Sequence, residues 1–327
     1  MAPKLLTRDQ LAGAVRAAFG DGRRLDAVER LAGGSRKGVY RLSLDDATTA
    51  IAYVWEDSEN YWPTAEGDND HADPFCAGVG LYLFEAAHAR LESLGLRVPE
   101  IYLIDRDREH YPAELAILED FPGEDLEQLY ERDPDAARPK FALVAEVLEA
   151  LRAGRSPRYG KVAWIDAGGT SHGSSCEASA LEFALKCLAE VAAREPRAER
   201  ARGRVEERLQ ELAAAVRPRA EYSLVHNELW GHVLMDRQGR PVLIDIEDLM
   251  YFDVEWEHVF LKIRLHEDYQ RLAVEGLDED RFALYMLAQR LSLTAGPLRL
   301  LDGDFPRREF MQGIAEYNLE QVLVLTQ

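Results

Sequence analysis

A carboxylate inside an apolar run is the feature that most restricts how this chain can fold. Asp245 lies within Val242–Ile246, a run whose composition is otherwise that of a buried strand. A buried carboxylate without a partner costs several kcal/mol, so the fold has to give Asp245 a cation, a metal ion or hydrogen bonds. The hairpin pattern just before it carries His226, Glu228 and His232. These residue types together predict a polar site rather than plain core.

The length and composition indicate a globular protein with two domains or lobes. The chain has 327 residues, of which 47% are hydrophobic. A single core stops growing at roughly 250–300 residues. Cys76, Cys176 and Cys187 have no CxxC spacing, which favours reduced thiols in a cytoplasmic protein over a disulfide framework or a zinc site. Arg8 and Asp9 interrupt any apolar core of a signal peptide.

Charge and hydropathy restrict the partners. The formal net charge is −20, which argues against binding to nucleic-acid phosphates. No apolar run reaches the ~20 residues that a membrane helix needs. We therefore expect neither a nucleic acid nor a membrane as partner, and the oligomeric state is unknown from the sequence. An acidic surface suits a cationic small substrate, but acidity also serves solubility alone, and both interpretations stay open.

Strand patterns precede helix patterns along the chain. A capping box at Thr7 and Gln10 predicts a first helix, and residues 25–55 have the pattern of three short strands. A helix from about Val79 to Leu94 and two further strands follow, before a short link at Glu119–Gly123. Downstream, helix patterns surround one hairpin and cover Pro139–Arg152, Glu177–Arg194, Arg197–Val216, Glu255–Leu272, Glu279–Thr294 and Arg308–Leu325. This order predicts an α+β fold with an N-terminal lobe, 1–121, and a C-terminal lobe, 122–327.

Several ordered landmarks resemble the aminoglycoside phosphotransferase family, which has the protein-kinase-like two-lobe fold. The signature of that family is H-G-D-L-x-x-x-N, then I-D-W, then G-D-P-x-x-D. This chain matches it, as a divergent member with an H-x-E catalytic loop, at His226, Glu228, Leu229, Ile244, Asp245, Asp253 and Glu257. The resemblance implies a small N-terminal antiparallel sheet with one helix and a larger, mostly helical C-terminal lobe.

The resemblance also implies roles for the matching residues. Phosphoryl transfer needs a carboxylate near the acceptor hydroxyl and a metal ion that neutralises the phosphate oxygens. Glu228 would orient or deprotonate the hydroxyl, with His226 as a hydrogen-bonding residue of the same catalytic loop. Asp245 would hold Mg²⁺ with help from His232, although imidazole is a poorer magnesium ligand than an oxygen. Asp253 would brace the backbone of the loop.

The N-terminal lobe supplies the expected nucleotide contacts. The segment AGGSRKGVY lies between two strands, where a kinase-like protein folds a loop over the phosphates, and an ordinary hairpin is the alternative. Glu85 matches the helix glutamate that pairs with a strand lysine, and Glu119–Phe121 matches the segment whose backbone meets the purine. The predicted nucleotide-binding residues are Gly33, Gly34, Ser35, Lys37, Gly38, Glu85, Glu119 and Phe121.

The chain departs from the family at three positions. Tyr53 stands where the strand lysine is expected, Glu228 replaces an aspartate, and His232 replaces an asparagine. Lys37 could bring an ammonium to the phosphates instead, because a lysine acts there as a point charge whose reach matters more than its position. We expect Lys37 to pair with Glu85 when the site is empty. Two further cations, Arg36 and Arg41, compete for the same role.

The acceptor site is less well marked. Glu247, Asp253 and Trp230 are the residues that we expect to face the acceptor. Glu247 and Asp253 belong to an acidic cluster, with Asp248, Glu255 and Glu257, that would attract an amine-bearing acceptor or simply favour the start of the next helix. A Gly- and Ser-rich segment, Ser156–Glu177, offers Trp164, Asp166 and His172 as further candidates, or is a loop without a ligand.

Together these features predict an ATP- or GTP-dependent O-phosphotransferase that uses Mg²⁺ and acts on a hydroxyl of a small antibiotic or metabolite, either cationic or neutral. One alternative is a peptide Ser/Thr kinase of natural-product maturation. Another is a pseudokinase that binds nucleotide or a partner protein without catalysis. Retention of Asp245 and Glu85 favours an enzyme, whereas the missing strand lysine favours the pseudokinase.

Overall fold

The computed structural model describes residues 5–32, 34–63 and 70–327. Gly33, one of the predicted nucleotide-loop glycines, lies outside the described residues. The N-terminal part comprises α1 (Arg8–Phe19), β1 (Leu25–Arg30), β2 (Gly38–Leu44), β3 (Thr49–Trp55), α2 (Leu81–Ser93), β4 (Ile101–Asp105) and β5 (Glu114–Glu119). The capping box at Thr7 and Gln10 opens α1 as predicted.

The five strands form one antiparallel sheet in the order β1-β2-β3-β5-β4. Side chains of β2 alternate between buried and half-buried, as a strand with one helix-covered face requires. Tyr40 and Leu42 belong to the core that also contains Leu11 of α1. On the other side of the sheet, Tyr53 packs edge-on against Phe84 of α2, with ring centroids 5.8 Å apart. The sheet is therefore held between α1 and α2.

The rest of the chain is mostly helical. Its helices are α3 (Leu126–Arg132), α4 (Pro134–Ala137), α5 (Phe141–Ala153), α6 (Val162–Asp166), α7 (Cys176–Ala192), α8 (Pro196–Ala215), α9 (Val254–Leu265), α10 (Glu279–Asp302) and α11 (Arg308–Leu325). Its strands are β6 (Arg155–Ser156), β7 (Gly160–Lys161), β8 (Tyr222–Val225), β9 (Val233–Met235), β10 (Pro241–Leu243) and β11 (Met250–Phe252). The strands β9 and β10 form the expected hairpin, and a small sheet has the order β6-β8-β11-β7.

Helix α10 is longer than the sequence predicts. We expected it to end near Thr294, because Gly296 and Pro297 are strong stop signals. It continues to Asp302, with Ala295, Gly296, Pro297 and Leu300 all buried. Pro297 has no N–H and so removes the helical hydrogen bond to the carbonyl of Leu293. The burial of residues before and after Pro297 maintains the helix despite this loss.

The architecture confirms the predicted α+β, protein-kinase-like fold, with an antiparallel sheet first and a helical part after it. None of the helices in the described ranges combines the length and the apolar character needed to cross a bilayer. A cleft of about 750 Å³ lies between the sheet and the helices, and the catalytic-loop residues open into it.

Candidate active site between the sheet and the helices

The catalytic loop follows β8 and is braced by α9. The Glu257 carboxylate accepts hydrogen bonds from the backbone N–H groups of Asn227, at 2.8 Å, and Leu229, at 3.2 Å. The side-chain oxygen of Asn227 accepts a hydrogen bond of 2.5 Å from the indole of Trp256. Asn227 has a φ of 85°, a left-handed conformation that asparagine tolerates better than most residues. Two residues of one helix therefore fix the turn that carries Glu228.

Asp253 does not have the predicted role. Its carboxylate is fully buried and bonds to Arg281 at 2.5 Å, to the Tyr285 hydroxyl at 2.5 Å and to Arg219 at 3.2 Å. Burial raises the pKa of Asp253, and Arg281 opposes the shift. Asp253 thus joins the start of α9 to α10 and is absent from the residues that line the cleft. The brace of the loop lies one helical turn further along, at Glu257.

The prediction that Trp230 faces the acceptor is also wrong. It is fully buried and packs edge-on against Tyr130 and Phe141, at centroid distances of 5.6 and 5.1 Å. The short turn Leu229–His232 therefore directs its large side chain into the helical core. Gly231, the next residue, lines the cleft instead. Trp230 cannot contact an acceptor from this position.

His226 connects the loop to the segment that carries Asp245. Its Nε2–H donates a hydrogen bond of 3.0 Å to the carbonyl of Ile244. The ring is buried, and this burial lowers its pKa to about 4, with the neighbouring His232 adding to the shift. His226 is therefore neutral near pH 7 and holds the backbone in place. It has the hydrogen-bonding role expected of it and is absent from the residues that line the cleft.

His232 and Asp245 face each other in the cleft. His232 Nε2 lies 3.3 Å from Asp245 Oδ2, while its Nδ1–H donates to the carbonyl of Glu228 at 2.8 Å. That second contact fixes the ring and leaves Nε2 directed at the carboxylate. Burial disfavours the charged imidazolium, but Asp245 and then Glu228 outweigh it and raise the pKa of His232. Asp245 itself has a φ of 54°, the kind of backbone strain that concentrates at functional sites.

The pair has donor atoms suited to a divalent cation. Asp245 is half exposed to the cleft and offers a carboxylate oxygen beside the imidazole nitrogen of His232. Within the described part of the chain, no group of three or more His, Cys, Asp or Glu is arranged as a metal site. Phosphate oxygens and water would therefore have to complete the coordination, as they usually do for Mg²⁺ beside a nucleotide.

Lys37 reaches the same carboxylate from the loop before β2. Its ammonium lies 2.5 Å from Asp245 Oδ1 and 2.6 Å from Glu247 Oε1, and 4.7 Å from the centroid of the Tyr53 ring beneath it. Burial opposes the charged form of Lys37, but the two carboxylates outweigh it and raise its pKa. The ammonium opposes the desolvation of Asp245 in turn, so the pKa of that carboxyl is well below its usual range.

The expected pairing of Lys37 with Glu85 is wrong. The Glu85 carboxylate is held by Arg106, which follows β4, at 2.6 and 2.7 Å. The neighbouring residue Phe84 is the one that packs against Tyr53 below the lysine. Successive residues of a helix are turned by about 100°, so Glu85 points away from the cleft. Glu247, predicted to face the acceptor, is buried against Lys37 instead.

The other two candidate cations are engaged elsewhere. Arg41 binds the Asp120 carboxylate at 2.7 and 3.1 Å, next to the link between the sheet and the helices. Arg36 stacks on the ring of Trp62, with its guanidinium carbon 4.3 Å from the centroid. Lys37 is therefore the one of the three that contacts Asp245 in this structure.

Glu228 lies exposed at the open side of the cleft, close to this cluster. Desolvation by the surrounding walls raises its pKa, Asp245 and Asp248 add to the shift, and His232 opposes it. The carboxylate can thus accept a proton more readily than an isolated glutamate can.

Close packing in the loop before β2 leaves no room for side chains at two of its glycines. A Cβ added to Gly34 would lie 2.6 Å from the carbonyl of Lys37, so the turn itself excludes a side chain there. A Cβ added to Gly38 would lie 2.8 Å from the buried Glu59. Ser35 accepts a hydrogen bond of 3.0 Å from the indole of Trp62. Gly34, Ser35 and Lys37 all line the cleft, whereas Gly38 is buried against Glu59 and is absent from the lining.

The wall of the cleft next to the link between the sheet and the helices is mostly apolar. Glu119 and Phe121 line it as expected, together with Leu31, Val39, Ile51, Pro99, Leu118, Leu234 and Ile244. The side chain of Glu119 is occupied by Arg97, at 2.7 Å for both oxygens, and Arg97 also lies 5.4 Å from the Phe121 ring centroid. These contacts fix the edge where a purine would meet the backbone.

The acidic cluster is neutralised within the fold. Asp248 binds Lys161, and Glu255 binds Arg219 at 2.8 and 2.9 Å. With Asp253 bound to Arg281 and Glu257 to the loop backbone, this cluster leaves little free charge to attract an amine. The candidates of the segment Ser156–Glu177 are engaged too, in contacts between Trp164 and Thr170, Asp166 and Arg90, and His172 and Asp70.

The comparisons with known proteins concern the family and the fold of the chain. A family model described as the phosphotransferase enzyme family, APH, matches residues 27–291. No curated protein matches the chain.

Solved structures share the fold at low sequence identity. Aminoglycoside phosphotransferase APH(4)-Ia is 17% identical with a TM-score of 0.59, over 96% of this chain and 99% of that one. The choline kinase LicA from Streptococcus pneumoniae is 14% identical with a TM-score of 0.62, over 95% and 98%. The GDP and kanamycin complex of APH(2")-IIia is 19% identical with a TM-score of 0.60, over 95% and 96%.

Proposed function

The chain belongs to the phosphotransferase enzyme family, and on that premise we propose that it transfers the γ-phosphoryl group of ATP or GTP to a hydroxyl of a small molecule. The observation that carries this proposal is the position of the Lys37 ammonium, 2.5 Å from Asp245 at the floor of the cleft. A cation and a metal-type carboxylate meet there beside Glu228, as phosphoryl transfer requires.

Lys37 and Glu247 take the place of the strand lysine and helix glutamate. Tyr53 occupies the strand position and supports the ammonium with its ring, 4.7 Å from the Nζ atom. Glu247 holds the ammonium from the opposite side, and it is the other carboxylate, besides Asp245, within 4 Å of it in the described ranges. The arriving phosphates gain a cation that is already desolvated and charged, at little cost in reorganisation.

Asp245 is the residue that would hold a divalent cation, and His232 would join it on giving up the proton that Asp245 stabilises on its ring. When bound, the cation neutralises charge on the phosphate oxygens and orients the group to be transferred. The carbonyl of Glu228 fixes the ring of His232 for this contact. His226 fixes the position of Asp245 relative to the loop, because it donates a hydrogen bond to the carbonyl of Ile244, the residue before Asp245.

Glu228 accepts the proton of the acceptor hydroxyl or orients it. Its raised pKa suits a general base better than that of an ordinary carboxylate does. Glu257 and Trp256 fix the loop around it, so the carboxylate is presented on a rigid turn.

Either ATP or GTP could be the phosphoryl donor. The related structures include a complex of a thermostable APH(4)-Ia mutant with ADP and hygromycin B, and the APH(2")-IIia complex with GDP and kanamycin. The apolar wall from Leu31 to Ile244 would accept either purine.

A thermal-shift and calorimetry panel of ATP and GTP, with and without Mg²⁺, tests the proposal. A ligand that binds only the folded state raises the melting temperature by mass action. Lys37→Ala should weaken nucleotide binding by about 1–3 kcal/mol, the cost of losing a charged hydrogen-bond partner. Lys186→Ala, which removes an exposed lysine of α7, is the matched control.

The outcomes separate the candidate functions. Loss of affinity in Lys37→Ala alone supports the assigned phosphate contact. Unchanged affinity in this variant, with a loss in Arg36→Ala or Arg41→Ala, would move the contact to an arginine. Absence of binding by either nucleotide at millimolar concentration would overturn the proposal and favour a partner-binding protein.

A further inference from the structure

The cleft has a second arm, on the side of the helices, whose chemistry differs from the rest of the protein. This helical arm is lined by residues of α9, α10 and α11 and by the turn between α10 and α11, with Trp62 opposite. Aromatic and aliphatic side chains dominate it, including Phe260, Leu293 and Phe305. No Asp or Glu of the described α9–α11 segments belongs to the lining, although the chain carries a net charge of −20.

The helical arm is continuous with the catalytic loop. The indole of Trp256 donates to Asn227, the residue before Glu228, at 2.5 Å. The carbonyl of Trp256 in turn accepts a hydrogen bond of 2.6 Å from the Gln289 side chain. Trp256 of this arm therefore contacts the residue next to the proposed base, and Trp256, Asn227 and Glu228 all line the same cleft.

One hydrogen-bond acceptor of the arm lacks a donor in the described part of the chain. The side-chain oxygen of Gln289 is buried with no partner among those residues, while its amide nitrogen donates to the carbonyl of Trp256. A buried acceptor without a donor is costly, so the site is built to receive a hydroxyl or another N–H or O–H group.

The charged groups of the arm are arginines. Arg299 binds Glu190 at 3.1 Å and lies 5.6 Å from the Trp62 ring centroid. Arg307 stacks on Phe310 with its guanidinium carbon 4.0 Å from the ring centroid. A polycation would meet apolar rings and like charge here, with no carboxylate of the described α9–α11 lining to balance it.

We propose that the acceptor is a hydrophobic alcohol without positive charge, held in the helical arm by the aromatic walls and by the side-chain oxygen of Gln289. This inference rests on the proposed phosphotransferase function, whose acceptor it describes. It replaces the cationic acceptor that the acidic composition suggested, because four carboxylates of the acidic cluster are in internal ion pairs and the fifth, Glu257, accepts hydrogen bonds from the loop backbone.

Binding of 1-anilinonaphthalene-8-sulfonate, an aromatic anion whose fluorescence rises in apolar sites, tests this proposal on the full chain with ADP and Mg²⁺ present. We expect saturable binding at one site. Kanamycin and choline at millimolar concentration should neither displace the probe nor raise the melting temperature. Phe310→Glu and Met311→Glu, which place a carboxylate in the arm, should each weaken probe binding about tenfold.

Val324→Glu is the matched control, since it replaces an exposed apolar residue of the same helix outside the cleft. It should leave probe binding unchanged, and ADP should stabilise all three variants as it does the parent. Displacement of the probe by kanamycin, or equal binding by all variants, would overturn the assignment of the acceptor class. Such a result leaves the nucleotide measurements unaffected, so failure of this inference is distinguishable from failure of the proposed function.

Discussion

The Lys37 ammonium lies 2.6 Å from the carboxylate of Glu247, so the lysine that contacts Asp245 and its second carboxylate partner both come from loops. Lys37 precedes β2, and Glu247 follows Asp245 by two residues. The charge that would meet the phosphates is therefore coupled to the segment that would hold the metal ion. Displacement of one loop changes both contacts.

Asp245→Asn should abolish the stabilisation that Mg²⁺ adds to nucleotide binding. A neutral amide cannot balance the charge of the cation, and the imidazole of His232 alone is a poor magnesium ligand. Melting temperatures with ATP, recorded with and without Mg²⁺, measure the effect. Asp21→Asn, at a side chain with 93% exposure, is the control. Retention of the full magnesium effect in the Asp245→Asn variant would show that the metal ion is held elsewhere.

Glu228→Gln should lower turnover by roughly 10²–10⁴ while nucleotide affinity changes little, because the amide cannot accept the hydroxyl proton. Turnover is measured with an acceptor that the parent protein phosphorylates, and affinity by calorimetry. Glu228→Asp tests the reach of the carboxylate: a higher rate would show that the longer side chain is a handicap in this loop. Near-parental turnover in the Gln variant would remove Glu228 from the mechanism.

Two glycine substitutions should change stability in opposite directions. Gly38→Ala forces a Cβ to within 2.8 Å of the buried Glu59 and should lower the free energy of unfolding by about 1–3 kcal/mol. Gly203→Ala, at an exposed position of α8 with no atom near the added Cβ, should raise it by about 0.5–1 kcal/mol. Urea unfolding of both variants measures the difference. A neutral Gly38→Ala would mean that Glu59 moves aside freely.

The folded protein should lose stability as the pH falls from about 6.5 towards 4. Burial lowers the pKa of His258 to about 4, with Glu255 opposing the shift. The unfolded chain binds its proton near pH 6.5, so between these two values the unfolded state takes up more protons and is favoured. The contribution of His258 is complete above about pH 6.5 and is lost as the pH falls through the folded value. His226, with a similarly lowered pKa, adds to the same trend.

Urea unfolding at pH 7 and pH 5 measures this dependence. His258→Asn, which can still accept a hydrogen bond from the Tyr269 hydroxyl, should reduce the difference between the two pH values. His266→Asn removes an exposed histidine, and it should leave the difference unchanged. An unaltered difference in His258→Asn would show that other groups dominate the titration.

The sequence by itself determined the order and type of the main elements. Short β-like runs separated by turns predicted β2 and β3, and the capping box predicted the start of α1, because these signals depend on residues close together in the chain. It also placed Asp245 inside a buried strand, which is wrong: β10 ends at Leu243 and the Asp245 side chain is 48% exposed, although it does have the cationic partner that the argument required. The departures at Tyr53 and at Glu228 were visible there too.

Only the tertiary structure decided which partners those residues have. Phe84 and Glu85 differ by one position in α2, yet one packs below Lys37 and the other faces Arg106. Asp253 matches the family pattern, and Trp230 lies within the catalytic loop. Both side chains are nevertheless buried among the helices and do not reach the cleft. Such outcomes depend on rotations of a fraction of a helical turn and on competition among distant groups for burial. Local sequence patterns do not encode either quantity. The cation beside Asp245 and the largely apolar helical arm therefore become apparent only when the sheet and the helices are packed together.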